Sequence, residues 1–92
     1  MSAALVNNKI YLFGGYDDSK YYNAVEYYDL KENTLKSLDS KSYLHTERGR
    51  ATSIVHNDKV YIIGGRNSSG YVDDIEVFDS SNNSVDSIIN LP

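Results

Sequence analysis

The amino-acid sequence predicts an all-β chain built from two four-stranded antiparallel units in tandem. Its apolar runs are short, rich in β-branched and aromatic residues, and separated by turn formers such as NNK, KEN, HNDK and SSNN. No stretch shows a sustained period of about 3.6 residues, so helices have little support. The second half of the chain repeats the first without a gap, which indicates one structural unit used twice.

The repeat stays in register along nearly the whole chain, at an offset of about 50 residues. The segment KIYLFGG, ending at Gly15, returns as KVYIIGG, ending at Gly65. Other positions are identical or keep their apolar character: Asn7/Asn57, Lys9/Lys59, Tyr11/Tyr61, Tyr21/Tyr71, Glu26/Glu76, Asp29/Asp79, Asn33/Asn83, Ser37/Ser87, Val25/Ile75, Tyr28/Phe78, Leu35/Val85 and Leu38/Ile88. We therefore expect a first repeat over residues 1–42 and a second over residues 43–92.

Each unit contains four predicted strands. In the first they are SAALVN, KIYLFG, AVEYYDL and TLKSL, and in the second ATSIVH, KVYIIG, DIEVFD and SVDSI. The second strand of each unit is apolar nearly throughout, which is typical of a strand covered on both faces. A glycine pair closes that strand, where access to positive φ lets the chain leave sharply and lets another backbone approach. These sheets are expected to stack on other sheets.

A four-stranded unit of about 50 residues whose second strand ends in Gly-Gly has the period of a kelch blade in a β-propeller. On this signature the chain resembles two consecutive kelch repeats over almost its whole length, with VEYYD and IEVFD similar to the family's third strand. Arg48 falls where kelch repeats commonly carry arginine. The tryptophan usual after the third strand is replaced by Leu35 and Val85, which predicts less buried area and looser blades. The structural signature residues are Gly14, Gly15, Gly64, Gly65, Tyr11, Tyr61, Tyr28 and Phe78.

The resemblance implies a ring of about six blades, so two blades are expected to be part of a propeller. Three hypotheses stay open: an excerpt from a longer protein, a subunit that assembles with copies of itself, and the remnant of a truncated reading frame. The usage of Asn, Lys, Ile, Tyr and Asp suggests an AT-rich genome. In this respect the chain is similar to the kelch-like proteins of poxviruses, for which the location would be the host cytoplasm.

The loops on one propeller face are the predicted binding surface, because loops on a rigid scaffold commonly carry binding residues. They are residues 16–23, residues 66–73 and the connection 39–50. The resemblance implies that arginines in such loops hold the carboxylates of acidic peptides, since the guanidinium is a planar fork of donors. The simpler hypothesis for Arg48 is a salt bridge or a hydrogen bond to loop backbone, and for Tyr16 it is edge packing. The candidate partner-binding residues are Arg50, Arg66, Ser68, Arg48, His45 and Tyr16.

Composition narrows the function classes. The chain has no cysteine, which excludes disulfides, thiolate nucleophiles and Cys-containing zinc sites. A formal net charge of -4 argues against broad binding to nucleic acid or anionic membrane. His45 and His56 have no spacing that suggests a Ser/His/Asp arrangement, and the acidic pairs Asp17/Asp18 and Asp73/Asp74 lack the pattern of a calcium loop. No catalytic residue, metal site or cofactor is predicted.

The sequence therefore favours a non-enzymatic protein-interaction module, part of a kelch propeller, that presents loops to a protein partner. In this family such propellers often recruit substrates to cullin ubiquitin ligases through a separate BTB domain, which would lie outside these residues. The alternative is a truncated kelch-like remnant without independent activity. The start MSAALVNNK and the absence of a long apolar run lead us to expect a soluble, cytoplasmic protein.

Overall fold

Two antiparallel sheets of four strands each form the structure, a computed structural model that describes residues 2–90. The first sheet, here called blade 1, has the order β1-β2-β3-β4, with β1 Ser2–Val6, β2 Lys9–Tyr16, β3 Tyr21–Asp29 and β4 Thr34–Ser37. After a short 3₁₀ helix, Ser40–Ser42, come β5 Thr52–His56, β6 Lys59–Ile63, β7 Arg66–Asn67, β8 Gly70–Tyr71, β9 Asp74–Asp79 and β10 Ser84–Asn90. Blade 2 has the order β10-β9-β6-β5, and β7 and β8 form a separate small hairpin.

Asparagine explains why the same turns form in both blades. The hairpin between β1 and β2 turns on Asn7 and Asn8, which have φ values of 49° and 64°, as a two-residue type I′ turn requires. Asn57 and Asp58 take the same conformation between β5 and β6, at 51° and 62°. Because asparagine and aspartate tolerate the left-handed region, these turns fix the register of each hairpin.

The core lies between the two blades. Blade 2 packs on one face of blade 1, where the Phe13 and Phe78 rings meet edge to face at a centroid distance of 5.2 Å. The buried hydroxyl of Tyr11 crosses the interface and donates to Asn83 Oδ1 at 3.0 Å. Every residue of this core cluster is less than 9% exposed: Ala4, Val6, Tyr11, Phe13, Val25, Leu44, Val60, Ile62 and Phe78.

The predicted all-β fold and its eight strands are confirmed, with three differences. The glycine pair does not close β2, which continues to Tyr16 after a register shift between Phe13 and Gly15. The β3 strand begins at Tyr21 rather than at Ala24, since Tyr16 pairs with Tyr21. The hairpin β7–β8 and the 3₁₀ helix have too few residues to show a period, and the sequence did not predict them.

The two residues in the place of the usual tryptophan differ in their surroundings. Val85 packs against the core, whereas Leu35 in β4 is 59% exposed. All four residues of β4 are exposed, as expected of an outer strand without a large aromatic anchor. Among residues 2–90 no helix has the length and apolar character needed to cross a membrane.

Candidate functional site

The glycine pairs bring the connection between the blades against both sheets. Gly15 donates its amide to the carbonyl oxygen of Arg48 at 2.8 Å. A Cβ on Gly14, which has a φ of 59°, would lie only 2.5 Å from the same oxygen. In blade 2, Gly49 and Arg66 exchange two backbone hydrogen bonds, at 2.8 and 2.9 Å. The end of the connection is therefore held between the last residues of β2 and the start of β7.

Arg48 lies inside this junction, where its side chain is fully buried. Its Nη2 donates to Glu76 Oε2 at 2.7 Å and to Asp74 Oδ1 at 2.6 Å. Its Nη1 donates to the carbonyl oxygen of Gly64 at 3.0 Å, and its Nε to that of Thr46 at 3.5 Å. The assignment of Arg48 to partner binding is therefore corrected, because a buried guanidinium with these bonds does not face a partner. The salt bridge and loop-backbone bonds of the simpler hypothesis are what the structure has.

Glu76 organises the same junction from the blade 2 side. Its side chain has no exposed surface, and it accepts the amides of His45 at 2.6 Å and Thr46 at 3.0 Å besides the Arg48 guanidinium. A buried carboxylate with two amide donors and a cation is fully paired, which is the condition for burying a charge without a large penalty. Sequence reasoning missed this role, although an identical glutamate in both apolar third strands was its signal.

An open basic depression of about 270 Å³ lies next to this junction, lined by Arg50, Gly65, Arg66 and Tyr71. The Arg66 guanidinium carbon lies 5.4 Å from the centroid of the Tyr71 ring, which is a cation–π distance. Tyr71 is 87% exposed, so its ring also offers an apolar face to solvent. Arg50 is exposed and has a φ of 57°, so its backbone is in the left-handed region. The structure thus places two of the predicted arginines together.

A second depression, of about 380 Å³, has the opposite charge. Its carboxylates are Asp17, Asp18 and Glu47, with Lys20 as its cation, and the remaining lining residues are Tyr16, Ser19, Tyr21 and Ser68. The stacked rings of Tyr16 and Tyr21, 5.0 Å apart, form part of it. Two predicted binding residues, Ser68 and Tyr16, therefore belong to this acidic depression and not to the pair Arg50/Arg66.

Asp17 orders the loop of the acidic depression. Its carboxylate accepts the Tyr22 hydroxyl at 2.6 Å and the backbone amides of Ser19 and Lys20 at 2.9 and 3.0 Å. These donors, the Tyr22 hydroxyl first, lower the pKa of Asp17 from 3.8 to about 2. The Asp17 carboxylate therefore stays ionised to a lower pH than an ordinary aspartate does.

His45 contributes its backbone to the junction. Its amide donates to Glu76, while its side chain is exposed and borders neither of the two depressions. Sequence reasoning did not name Tyr71 as a binding residue, although the repeat offers a signal. Tyr16 and Tyr21 stack on each other in blade 1, and their counterparts at the same repeat positions are Arg66 and Tyr71.

Stacked four-stranded sheets, each with a glycine pair at the end of its second strand or directly after it, together with loops gathered at one end, define two blades of a β-propeller. The family model described as the KLHDC2/KLHL20/DRC7 Kelch-repeats domain matches residues 1–90. The chain belongs to the kelch-repeat family, as the second-strand segments indicated. A search of curated protein sequences found no match to the chain. Membership of this family indicates a protein-interaction module.

Proposed function

We propose that the chain is a non-enzymatic interaction module that holds a carboxylate of an acidic peptide segment in the basic depression. The observation that carries the proposal is that Arg50, from the connection, and Arg66, from the β7–β8 hairpin, line the same depression beside the exposed ring of Tyr71. Two guanidinium groups can share one carboxylate or grip two neighbouring ones through paired N–H donors. The Tyr71 ring would then pack on the adjacent apolar part of the segment.

Arg50 and Arg66 differ from Arg48 in the hydrogen bonds and salt bridges that their side chains make within the protein. Within the part of the chain that the structure describes, the side chains of Arg50 and Arg66 make no hydrogen bond or salt bridge, whereas Arg48 uses three of its nitrogens. Donors without a protein partner can exchange water for a ligand carboxylate. A charge-assisted hydrogen bond of this kind contributes about 1.5–3 kcal/mol.

The neighbouring acidic depression would limit which segments fit. Glu47 borders it and Arg50 borders the basic one, and three residues of chain span at most about 11 Å. A ligand that crosses segment 47–50 therefore meets charges of opposite sign within a short distance. We expect one or two acidic residues followed by a basic or neutral residue to bind better than a long acidic run.

The test is binding of a fluorescent peptide that carries two glutamates, measured by anisotropy against a matched peptide with two glutamines. Arg66→Ala should weaken binding of the glutamate peptide roughly 10- to 100-fold, which corresponds to the loss of one charge-assisted bond. Arg50→Asn should do the same while suiting the left-handed backbone at this position. Lys41→Ala, which removes an exposed cation from the connection but not from the depression, is the control. Unchanged affinity in both arginine variants would refute the proposal.

We further propose that the module acts in the cytoplasm, the host cytoplasm if the protein is viral. In a longer chain with a BTB domain, it would serve as the substrate-recruiting part of a cullin ubiquitin ligase. Its blades would be completed by self-association or by further blades. The alternative remains a truncated kelch-like remnant without independent activity. An intact reading frame upstream of Met1 supports the longer adaptor, and a degraded one supports the remnant.

A further inference from the structure

Blade 1 has a face that blade 2 does not cover, here called the open face of blade 1. It contains Ile10, Leu12, Glu26, Tyr28 and Leu35, which pair across the strands on the side opposite the core. All of these side chains are partly or largely exposed. The matching positions in blade 2 are Val60, Ile62, Glu76, Phe78 and Val85. The first four of these have no exposed surface, and Val85 is partly buried against the core.

Blade 2 has the complementary open face, on its side away from blade 1. There Ile54 is 53% exposed, and Tyr61, Ile63 and Ile75 are partly exposed. The matching positions in blade 1 are Ala4, Tyr11, Phe13 and Val25, and all four lie in the core. The two open faces are therefore the two halves of an interface that the molecule already forms once.

We infer that the open face of blade 2 in one copy of this chain packs on the open face of blade 1 in the next copy. The contact is head to tail and repeats the packing between the blades of a single chain. Such a heterologous contact closes into a ring when its rotation divides a full turn. Since propellers have 4–8 blades, two to four copies of two blades fall within that range.

One polar pair supports this register over a face-to-face alternative. Tyr11 donates its hydroxyl to Asn83 across the existing interface, and the matching residues of the open faces are Tyr61 and Asn33. Asn33 has a φ of 55° and Asn83 a φ of 54°, so the two turns present the amide in the same way. In the head-to-tail contact the Tyr61 hydroxyl of one copy meets Asn33 of the next. Two copies joined through the same face would bring together two tyrosines or two asparagines.

Among residues 2–90, Glu26 does not have the partners that its counterpart Glu76 has in the existing interface; its carboxylate accepts the Ser37 hydroxyl. In the existing interface, the connection 39–50 supplies Glu76 with two amides and the Arg48 guanidinium. Within residues 2–90 that connection is the one segment of its kind, and it is already bound to Glu76. In a contact between two copies of residues 2–90, the Glu26 carboxylate therefore has no cation beside it and opposes association. Glu26→Gln should therefore tighten self-association, because it removes an unpaired charge from the contact. If a preceding blade of a longer chain supplied an arginine to Glu26, the same change should instead weaken the contact with that blade.

Sedimentation velocity of the purified chain over a wide range of concentrations tests the inference. Wild type should form a discrete oligomer. Ile54→Lys should block the open face of blade 2, and Leu35→Lys that of blade 1; both residues are exposed, so neither change should unfold the chain. Ser69→Lys is the charge control, because Ser69 is exposed in the turn between β7 and β8 and lies on neither open face.

Mixing the two blocked variants gives the decisive result. Each variant alone keeps one competent face and should stay monomeric, while the mixture should form a dimer through the remaining pair of faces. Tyr61→Phe should weaken self-association about 2- to 12-fold, the loss of one neutral hydrogen bond. A folded wild-type monomer at all concentrations, no dimer in the mixture, or equal effects of Ile54→Lys and Ser69→Lys would each overturn the inference.

Discussion

Replacing Arg48 with methionine should lower the free energy of unfolding by about 3–5 kcal/mol, because it leaves a buried carboxylate without its cation. Methionine keeps part of the apolar volume of the arginine stem, so a large cavity is not the cause. The side chain of Glu76 has no exposed surface and would keep its two amide donors while losing the guanidinium at 2.7 Å. Asp74 is 16% exposed and can recover water, so the penalty should come mainly from Glu76.

Such a loss is large for a small domain, whose total stability is about 5–15 kcal/mol. The assay is urea denaturation followed by far-ultraviolet circular dichroism, at one fixed protein concentration because association would shift the midpoint. Lys59→Met is the control, since its ion pair with Asp86, at 2.9 Å, is exposed and should contribute about 0–1 kcal/mol. Adding Glu76→Gln to Arg48→Met should restore part of the loss by removing the buried charge. A loss for Arg48→Met within about 1 kcal/mol of the control would refute the account of the junction.

The remaining predictions concern a glycine and the loop carboxylate. Gly14→Ala should destabilise the protein more than Gly64→Ala. The two glycines have similar φ values, 59° and 64°, so the backbone strain is similar. A Cβ at Gly14 would lie 2.5 Å from the Arg48 carbonyl oxygen, whereas a Cβ at Gly64 would lie 3.7 Å from the Val72 carbonyl oxygen. Thermal denaturation measures the difference, and equal losses would contradict this packing. The lowered pKa of Asp17 means that its contribution to stability is complete above its ordinary value of 3.8 and lost as pH falls toward about 2. In acid denaturation, Asp17→Asn should therefore make stability fall less steeply with pH over that range. An unchanged dependence of stability on pH would contradict the hydrogen bonds assigned to Asp17.

Much of the fold could be predicted from the sequence because the repeat presents each local signal twice. Identical asparagines at Asn33 and Asn83 occupy turns that need positive φ, and the glycine pairs lie where the connection approaches. The β3 strand extends further than expected because its first residue, Tyr21, pairs with Tyr16 beyond the glycines, a register that alternation alone does not specify.

Much less of the candidate site could be predicted. Arg48 binds Glu76 across 28 residues of chain, and neither its burial nor its partner follows from local pattern. Ser68 is close to Arg66 in sequence, yet the β7–β8 hairpin places it in the acidic depression instead. Tyr71 becomes a site residue only because that hairpin pairs it with Arg66. Each of these outcomes depends on side-chain direction and tertiary contact.

The most direct test of the proposed interaction site is a chemical-shift titration of the isotope-labelled protein with the two-glutamate peptide. We predict saturable shifts confined to the backbone amides of Arg50, Gly65, Arg66 and Tyr71 and to the Nε groups of the two arginines. The turns at the other end of the blades, around Asn7 and Asn57, should not respond. Shifts centred on those turns, or none anywhere in the chain at peptide excess, would contradict the assignment of the basic depression as the binding site.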